Sequence, residues 1–277
     1  MTLERIPLVA VLGTPVAHSK SPLLHGFWLK KFGITGHYIP VDVKSVDLET
    51  VLHNMPKMGF VGANVTLPHK EKILSIADQI SDRAALIGAA NTLVFQPDGK
   101  IYADNTDGYG FIENIRQQAP NWQAKDGPAL VLGAGGAARA VVSALIEAGA
   151  PEVCISNRTR SRADQIKSDF GGRVSVVEWV KAPTEIEHAH TLVNTTSLGM
   201  TGKPALNLSL DGLKPETLVT DIVYTPIDTE FIKFARSKGC IAVDGLGMLI
   251  HQAIPGFERW FGQKPVVDQE IRDILLS

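Results

Sequence analysis

The sequence predicts an α/β protein of two domains, in which mostly parallel sheets are covered by helices. Three observations predict this fold class. The chain has 277 residues, more than one hydrophobic core usually holds. Short β-branched runs alternate with amphipathic stretches, and this alternation begins a second time at residue 129. A polar stretch at residues 117–128, which contains two prolines and a glycine, separates the two rounds.

The first round of alternation predicts strands separated by helices. The apolar run at residues 8–12 ends at Gly13, which indicates a strand followed by a turn. Pro22 at a first helical position and Gly33 just beyond the end delimit the helix that follows. Further strands are predicted at residues 38–43 and 60–65, with a helix between them at residues 47–58.

A hairpin and a polar loop end this round. The turn residues 96–99 lie between apolar runs at residues 92–95 and 101–102, which is typical of a hairpin. The segment at residues 105–108 then starts a helix, with Thr106 or Asp107 near its N-cap. A change of domain is therefore expected between this helix and the strand that begins the second round.

The second round predicts a doubly wound sheet. Its strands are predicted at residues 129–132, 152–156, 174–177, 191–194 and 218–223, and its helices at residues 137–148 and 161–170. From Gly245 onward the pattern is helical, with Leu249 and Ile250 on an apolar face, and we expect this segment to return to the first domain. The predicted domains are residues 1–107 with 245–277, and residues 108–244.

Composition excludes several classes of function. The formal net charge is −2, whereas a nucleic-acid binder usually carries a strong basic excess. Cys154 and Cys240 lie in apolar runs without CxxC spacing, and no cluster of His, Asp or Glu has metal-ligand spacing, so no metal is expected. The N-terminus lacks the pattern of a secretory signal, and Arg139 and Glu147 interrupt the longest apolar region. We therefore expect a cytoplasmic protein that does not enter a membrane.

A glycine-rich turn follows the strand at residues 129–132. Gly133, Gly135 and Ala138 satisfy the G-x-G-x-x-A form of the dinucleotide fingerprint, between an apolar strand and an apolar helix. Gly133 permits a tight turn, and Gly135 lets the backbone approach a pyrophosphate at the helix N-terminus. The turn therefore predicts a Rossmann-type site. The expected cofactor contacts are Gly133, Ala134, Gly135, Gly136 and Ala137.

The end of the next strand indicates which dinucleotide binds. A carboxylate there would accept a hydrogen bond from the ribose 2′-hydroxyl of NAD, but residues 157–162 contain no acid and three arginines. Guanidinium groups can bind a 2′-phosphate bidentately, and cations at a helix N-terminus are otherwise disfavoured. NADP is therefore predicted, with Arg158 and Arg162 as direct contacts and Arg160 pointing elsewhere.

Polar clusters follow the strands of the first domain. They lie at residues 18–22, 64–70, 91–92 and 105–107. Open α/β sheets bind their ligands beyond the carboxyl ends of the strands. The clusters supply hydroxyls, amides, an ammonium and a carboxylate, which suit a small polyhydroxylated acid.

These clusters resemble the signature motifs of the shikimate dehydrogenases. Those motifs, HSxSP, NVTxPxK, GAxNT and NTDG, are matched at residues 18–22, 64–70, 88–92 and 105–108. The glycine-rich turn and three further segments match in the same order, at residues 157–159, 194–200 and 245–248. The resemblance covers nearly the whole chain. One small departure is Gly26, where the family often has Asn.

The resemblance implies an enzyme that uses NADPH to reduce 3-dehydroshikimate to shikimate, on the route to chorismate and the aromatic amino acids. It implies that Ser19 and Ser21 bind the substrate carboxylate and that Lys70 and Asp107 form a catalytic pair. The other substrate contacts that it implies are Thr66, Asn91, Tyr224 and Gln252. The further cofactor contacts that it implies are Asp82, Asn157, Thr159, Ile222 and Gly245.

The proposed pair fits the chemistry of ketone reduction, which needs a hydride on carbon and a proton on oxygen. NADPH supplies the hydride. Lys70, just past a strand end, can donate the proton and stabilise charge on the oxygen, while Asp107 orients it. Each residue also has a simpler interpretation when it is taken alone. Lys70 can be a surface lysine, Asp107 a plain N-cap, and Ser19 and Ser21 turn or capping residues.

Three other functions stay open. A quinate/shikimate dehydrogenase that uses NAD disagrees with the arginines of residues 157–162. A methylene-tetrahydrofolate dehydrogenase has a similar two-domain design with a catalytic lysine, but the paired serines and Asp107 favour a hydroxylated acid. A regulator that senses dinucleotides would need neither Lys70 nor Asp107. The sequence does not distinguish a monomer from a homodimer.

Overall fold

The computed structural model describes residues 6–277, and these residues form two compact units. The first unit comprises the described chain up to Thr106 together with Gln252–Ser277, and the second unit is Asp107–His251. Within the described residues, each unit contains one six-stranded sheet. Residues 1–5 lie outside the described residues. They include the start of the N-terminus, which we expected to carry no secretory signal.

The first unit has the strand order β2-β1-β3-β5-β6-β4. Its strands are β1 (Leu8–Gly13), β2 (His37–Asp42), β3 (Phe60–Val65), β4 (Gln79–Ile80), β5 (Thr92–Phe95) and β6 (Ile101–Asp104). The helices of its first segment are α1 (Ser21–Lys31), α2 (Leu48–Asn54) and α3 (Asp82–Ile87). Strand β5 is antiparallel to both of its neighbours, and the other neighbouring pairs are parallel. The predicted hairpin therefore reverses a single strand of a mostly parallel sheet.

The second unit has the strand order β12-β11-β10-β7-β8-β9, and every neighbouring pair is parallel. Its strands are β7 (Ala129–Leu132), β8 (Val153–Ser156), β9 (Val174–Val177), β10 (Thr191–Asn194), β11 (Leu218–Asp221) and β12 (Ile241–Val243). Its helices are α4 (Asp107–Gln118), α5 (Gly136–Glu147), α6 (Arg160–Phe170), α7 (Ala182–Ile186), α8 (Glu230–Ser237) and α9 (Leu246–His251). The strand order reverses at β7, so the sheet is doubly wound as predicted.

Strand β7 shows why its sequence is apolar throughout. Val131 packs into the core on one face of the sheet, whereas Leu130 and Leu132 pack into the core on the other face. All three side chains are at most 1% exposed. A strand whose two faces are both covered by helices has no polar face, which explains why the run shows no alternation.

The chain returns to the first unit at Gln252, later than the expected boundary at Gly245. Helix α9 packs against α4, and a Cβ on Gly247 would collide with the side chain of Asn114. Asn114 Nδ2 also donates to the carbonyl oxygen of Asp244 at 2.7 Å. These contacts place residues 245–251 in the second unit. The first residue of α4, Asp107, also belongs there.

The returning segment completes the first unit with α10 (Ile254–Phe261) and α11 (Gln269–Leu276). Trp260 fills a slot above Gly62 in β3, where a Cβ would lie only 2.0 Å from the indole nitrogen. The same nitrogen donates to the carbonyl oxygen of Leu93 at 2.9 Å. The absence of a side chain at Gly62 is therefore what lets α10 approach the sheet.

Two predicted elements end earlier than expected. The helix predicted at residues 47–58 stops at Asn54, and Pro56–Met58 forms a separate 3-10 turn. Pro56 has no N–H to donate, so it cannot extend the hydrogen-bond pattern of the helix. The strand predicted to reach Val223 stops at Asp221, because the Asp221 carboxylate accepts the N–H of Val223 at 3.0 Å and turns the chain.

No helix of residues 6–277 combines the length and the apolar content that are needed to cross a membrane.

His25 lies fully buried in an aromatic cluster of the first unit. Its ring stacks on Tyr38 with centroids 4.0 Å apart, and it also contacts Trp28, Phe257 and Trp260. In the described part of the chain, neither ring nitrogen has a hydrogen-bond partner. Burial lowers the pKa of His25 from 6.5 to about 3, because a charged imidazole would lose its hydration.

We expect the free energy of unfolding to fall as the pH drops below 6.5, the pKa of an unperturbed histidine. The unfolded chain then binds a proton at His25, whereas the folded chain binds it only near pH 3. The stabilisation from neutral His25 is thus complete above pH 6.5 and is lost as the pH falls toward 3. The loss should reach about 2 kcal/mol at pH 5.

Urea unfolding of the wild type and of His25→Phe at pH 7 and pH 5 measures this loss. The phenylalanine variant retains an aromatic ring but cannot bind the proton, so it serves as the control for the other titrating groups. The wild type should lose more stability than the variant. An equal loss in both proteins would contradict the assignment to His25.

Candidate active site

The first sheet gathers polar loops at one edge. Five of its six strands point in the same direction, so their carboxyl ends share this edge. Asn91 reaches the edge by a different route, because it precedes the reversed strand β5. In the sheet register, Thr92 pairs with Asn64 on one side and with Asp104 on the other. The polar clusters predicted from the sequence therefore lie along neighbouring strands. We call this end of the sheet, where residues 18–22, 64–70, 91–92 and 105–106 lie, the ligand edge.

Gly13 lets the loops after β1 and β3 approach each other. A Cβ at Gly13 would lie 2.5 Å from the methyl group of Thr66 and 3.0 Å from the carbonyl oxygen of Leu67. The loop after β1 continues to Ser19 and Ser21. The close approach thus brings the backbone that carries Thr66 beside the start of the serine loop.

Ser19 and Ser21 lie in the turn that opens α1, and both are half-buried. The Ser19 hydroxyl oxygen accepts the N–H of Ser21 at 3.3 Å, so the turn role considered for Ser19 is present. A hydroxyl that accepts one hydrogen bond still has its own proton to donate, so this turn does not prevent Ser19 from binding a carboxylate.

Lys70 stands on a rigid backbone. Its carbonyl oxygen accepts the N–H of Ala90 at 2.9 Å, and the preceding N–H, of His69, donates to the carbonyl oxygen of Thr66 at 3.0 Å. The buried ring of His69 is held by a 2.7 Å hydrogen bond between Nε2 and the carbonyl oxygen of Val43. The half-buried Lys70 side chain therefore starts from a fixed position at the ligand edge.

Asn91 and Gln252 are brought together within the first unit although they are far apart in sequence. Asn91 Nδ2 donates to Gln252 Oε1 at 3.3 Å. The carboxamide oxygen of Asn91 accepts the N–H of Thr106 at 2.9 Å and its hydroxyl at 3.1 Å. Two residues that were predicted to bind ring hydroxyls thus share one hydrogen-bonded group at the ligand edge.

Asp104 ends β6 and is completely buried. Arg83 donates two hydrogen bonds to it, at 2.7 and 2.5 Å, and Arg259 lies 2.9 Å from the same carboxylate. The hydroxyl of Ser81 and the N–H of Asn105 also donate to it, at 2.7 and 2.8 Å. Burial by itself raises the pKa of Asp104, but the hydrogen bonds from Arg83 and Ser81 and the two arginine charges outweigh it, and the pKa stays below its ordinary value.

Three of the predicted site residues are not among the groups described so far. Asp107 and Tyr224 belong to the second unit. Asp107 is the first residue of α4 and directly follows Thr106 in the chain, while Tyr224 is half-buried and burial raises its pKa. Asp82, predicted as a cofactor contact, is exposed in the first turn of α3 in the first unit.

The glycine-rich turn of the second unit has the backbone that the fingerprint requires. Gly133 has φ +112°, and a Cβ there would lie 2.6 Å from the hydroxyl oxygen of Thr195. At Gly135 and Gly136, which begin α5, a Cβ would meet no atom within 4 Å, and no acidic residue occupies the first turn of this helix. The open backbone and the helix dipole together make an anion site. Ala134 and Ala137 flank it and are half-buried.

The arginines after β8 divide into two kinds. Arg160 pairs with Asp164 at 3.6 Å and with Glu178 at 3.4 Å. Arg158 and Arg162 are exposed, and within residues 6–277 neither makes an ion pair. The turn that presents them is shaped by Asn157, whose side chain donates to the carbonyl oxygen of Thr159 at 2.8 Å.

Ile222 and Gly245 lie against each other. A Cβ on Gly245 would lie 2.5 Å from the carbonyl oxygen of Ile222 and 2.7 Å from that of Val223. Any larger residue at this position would push the two backbones apart. Two residues predicted to lie near the cofactor therefore form one compact surface of the second unit.

The groups that hold the site in place were not predicted from the sequence, above all Asp104 with its two arginines and the hydrogen bond that Tyr38 donates to Asn64 at 2.7 Å. One signal was available. A carboxylate at the end of the apolar run Ile101–Asp104 is unusual, because buried acids need partners. The partners themselves lie elsewhere in the chain and give no local signal. Among residues 6–277, no group of three or more His, Cys, Asp or Glu side chains is arranged to hold a metal ion.

Three models of known protein families match the chain in order. The model described as "Shikimate dehydrogenase substrate binding domain" matches residues 11–93. The model described as "Shikimate / quinate 5-dehydrogenase" matches residues 114–204. The model described as "Shikimate 5'-dehydrogenase C-terminal domain" matches residues 245–269. The matched residues include most of the ligand edge and the glycine-rich turn.

Relatives and solved structures agree with these matches. The shikimate dehydrogenase (NADP(+)) of Cereibacter sphaeroides is 61% identical over 275 residues, which cover 99% of both chains. The shikimate 5-dehydrogenase of Thermus thermophilus, solved with NADP(H) and shikimate, has a TM-score of 0.87 and 38% identity, with 98% of this chain and 99% of that chain covered. The quinate dehydrogenase of Corynebacterium glutamicum, solved with NAD, has a TM-score of 0.90 and 31% identity at the same coverage.

Replacing Asp104 by Asn should destabilise the protein strongly. The substitution removes a buried charge and leaves Arg83 and Arg259 facing a neutral amide. Breaking a buried pair costs roughly 3–5 kcal/mol, and we expect about 3 kcal/mol because both arginines are partly exposed. Chemical denaturation measures the loss. Asp98→Asn is the matched control, since Asp98 makes an exposed pair with Lys100, and it should leave stability unchanged. A similar loss in the two variants would contradict the role of Asp104.

Proposed function

The chain belongs to the shikimate dehydrogenase family, and from this membership we propose that it catalyses the reversible, NADPH-dependent reduction of 3-dehydroshikimate to shikimate. Shikimate formed in this way leads to chorismate and the aromatic amino acids. The observation that carries the proposal is the ligand edge, where the hydroxyl of Ser19, the amides of Asn91 and Gln252 and the backbone of Lys70 are each held by hydrogen bonds. We propose that the enzyme acts in the cytoplasm as a monomer or a homodimer.

The first unit would bind the substrate. The hydroxyls of Ser19 and Ser21 would donate to its carboxylate, since an anion needs donors and a hydroxyl retains its proton. The half-buried or buried side chains of Thr66, Asn91 and Gln252 would bind the ring hydroxyls. Asp107 and Tyr224 are proposed as further substrate contacts from the family membership.

Lys70 would carry the proton transfer. When bound, NADPH supplies the hydride for the carbonyl carbon. The ammonium of Lys70 donates a proton to the oxygen in the reduction, and the neutral amine accepts it in the reverse direction. The positive charge also stabilises the negative charge that develops on the oxygen. The carboxylate of Asp107 accepts a hydrogen bond from a ring hydroxyl and orients Lys70.

The second unit would bind NADP. The open backbone at the start of α5 suits the pyrophosphate, with Gly133, Gly135 and Gly136 providing the close approach. Arg158 and Arg162 would bind the 2′-phosphate, and Asn157 and Thr159 shape the turn that presents them. Ile222 and Gly245 would line the nicotinamide end. We propose Asp82 as a further cofactor contact from the family membership alone.

A quinate dehydrogenase that uses NAD is the second candidate. It is favoured by the 0.90 TM-score of the Corynebacterium glutamicum structure. The acid-free end of β8 and its two unpaired arginines favour NADP instead, because a 2′-phosphate gives these charges a partner. Turnover of shikimate and quinate with each of the two cofactors tests both candidates. A preference for quinate with NAD would overturn the main proposal.

Lys70→Ala should mainly lower kcat. General acid–base help is typically worth about a hundred- to ten-thousand-fold, and an interaction made only in the transition state leaves KM nearly unchanged. Asp107→Ala should lower kcat and raise KM, because Asp107 also holds a hydroxyl. The loss of transition-state stabilisation in the double variant should be much smaller than the sum of the two single losses, since the two groups act together. Steady-state kinetics on the four proteins measure these effects.

Lys72→Ala is the control for this series. Lys72 is an exposed lysine two positions further along, so its replacement should leave the kinetics unchanged. Near-normal turnover in Lys70→Ala would exclude Lys70 as the proton donor, and additive losses in the double variant would exclude the pair.

Replacing Arg158 and Arg162 together by Ala should raise the KM for NADPH far more than the KM for NADH. Each charge-assisted contact is worth roughly 1.5–3 kcal/mol, so we expect a loss of tens-fold or more. Arg160→Ala is the matched control, because Arg160 is already held by Asp164 and Glu178. If the double variant affected the two cofactors equally, these arginines would not bind a 2′-phosphate.

A further inference from the structure

A chain of polar side chains crosses the interior of the first unit and joins two parts of the proposed substrate site. It begins at Tyr38, whose ring lies against helix α1, passes through Asn64 and Thr92, and ends at Asn91. The first three side chains are at most 6% exposed. Polar groups that are buried in this way must be hydrogen-bonded, and a satisfied network has little freedom to rearrange.

Asn64 has only one possible orientation in this chain. Its Oδ1 accepts the hydroxyl proton of Tyr38 at 2.7 Å. Its Nδ2 donates to the carbonyl oxygen of Asn91 at 3.0 Å and to the hydroxyl oxygen of Thr92 at 3.3 Å. Turning the amide over would place its oxygen against the carbonyl oxygen of Asn91, which can only accept. The Asn91 carbonyl therefore determines which way Asn64 faces, and the Tyr38 hydroxyl holds the amide oxygen on the other side.

Thr92 passes this orientation to Asn91. With its oxygen accepting from Asn64, the Thr92 hydroxyl donates to Asn91 Oδ1 at 2.9 Å. The N–H of Thr106 donates to the same oxygen at 2.9 Å. The carboxamide oxygen of Asn91 is thereby directed into the protein, and its NH2 group is directed toward Gln252. Asn91 thus presents a donor at the ligand edge.

The other end of the chain is fixed by helix α1. Ser21 and His25 are one turn apart on this helix, and His25 meets Tyr38. The His25 ring lies nearly parallel to the Tyr38 ring, with an angle of 5° between the planes. This stacking holds the phenol ring in place against the helix that begins with Ser21, so its hydroxyl has a defined position beside Asn64.

We propose that Tyr38 is a positioning residue for the substrate. Its ring, stacked on His25 of α1, and its hydroxyl, bound to Asn64, set the spacing between Ser21, which would hold the carboxylate, and Asn91, which would hold a ring hydroxyl. A cyclic acid carries these groups at a fixed separation, so binding depends on that spacing. Tyr38 itself would touch neither substrate nor cofactor. The inference rests on the proposed substrate site.

Tyr38→Phe removes only the hydroxyl and retains the stack on His25. A neutral buried hydrogen bond is worth about 0.5–1.5 kcal/mol, which corresponds to a rise of roughly three- to tenfold in the KM for shikimate. The KM for NADP should stay within about twofold of the wild-type value. Stability should fall in any case because Asn64 loses a donor, so the ratio of the two KM changes is the deciding measurement.

Tyr102→Phe is the matched control. Tyr102 is a half-buried tyrosine of the same sheet whose ring contacts Arg259, and it takes no part in the chain from Tyr38 to Asn91. Its replacement should leave both KM values unchanged. Thr92→Val breaks the chain at a later link and should raise the KM for shikimate in the same way as Tyr38→Phe.

A double-mutant cycle shows whether the effect of Tyr38 passes through Asn91. In an Asn91→Ala background, Tyr38→Phe should have a clearly smaller effect on the KM for shikimate than in the wild type. If the effects of Tyr38→Phe and Asn91→Ala on the KM for shikimate simply multiply, or if Tyr38→Phe changes the KM values for shikimate and NADP equally, the positioning role is overturned. The proposed function would remain intact. A wild-type protein without shikimate turnover would overturn both.

Discussion

The buried carboxylate of Asp104 joins the two chain segments of the first unit. This unit is assembled from two chain segments with the whole second unit between them, and Arg259 of the later segment bonds to Asp104 of the earlier one. A buried charge is tolerated only when its partners are close and numerous, and Asp104 has five donor groups around it. Because Asp104 ends β6, its fixed position also fixes Thr106. The backbone carbonyl oxygen of Asp104 accepts the N–H of Asn91 at 3.0 Å. The polar side chains of the ligand edge depend on this anchor.

The two units prepare their ligand sites by different physical means. In the first unit, side chains are oriented by other side chains, since a hydroxylated substrate is distinguished by where each donor and acceptor points. In the second unit, the backbone shapes most of the ligand site. Gly133 and Gly245 lack side chains where neighbouring backbones come close, and the start of α5 offers N–H groups to an anion. A dinucleotide with charged phosphates needs such an approach more than it needs individually oriented amides.

The sequence predicted those features that depend on local pattern. Strands β7, β9 and β10 were predicted with the bounds that the structure has, because they are short apolar runs between turns. The polar clusters could be placed because ligands bind beyond strand ends. Features that depend on distant contacts were not predictable. Strand β12 has three residues, one of them the half-exposed Ile241, and the partners of Asp104 come from α3 and α10.

The slot over Gly62 has a consequence for the order in which the protein is made. A ribosome releases every residue of the second unit before it releases Trp260, which fills the slot. The sheet face that α10 covers therefore stays exposed to water until the whole second unit has emerged. Until then the first unit cannot complete its core, although all six of its strands have already been made.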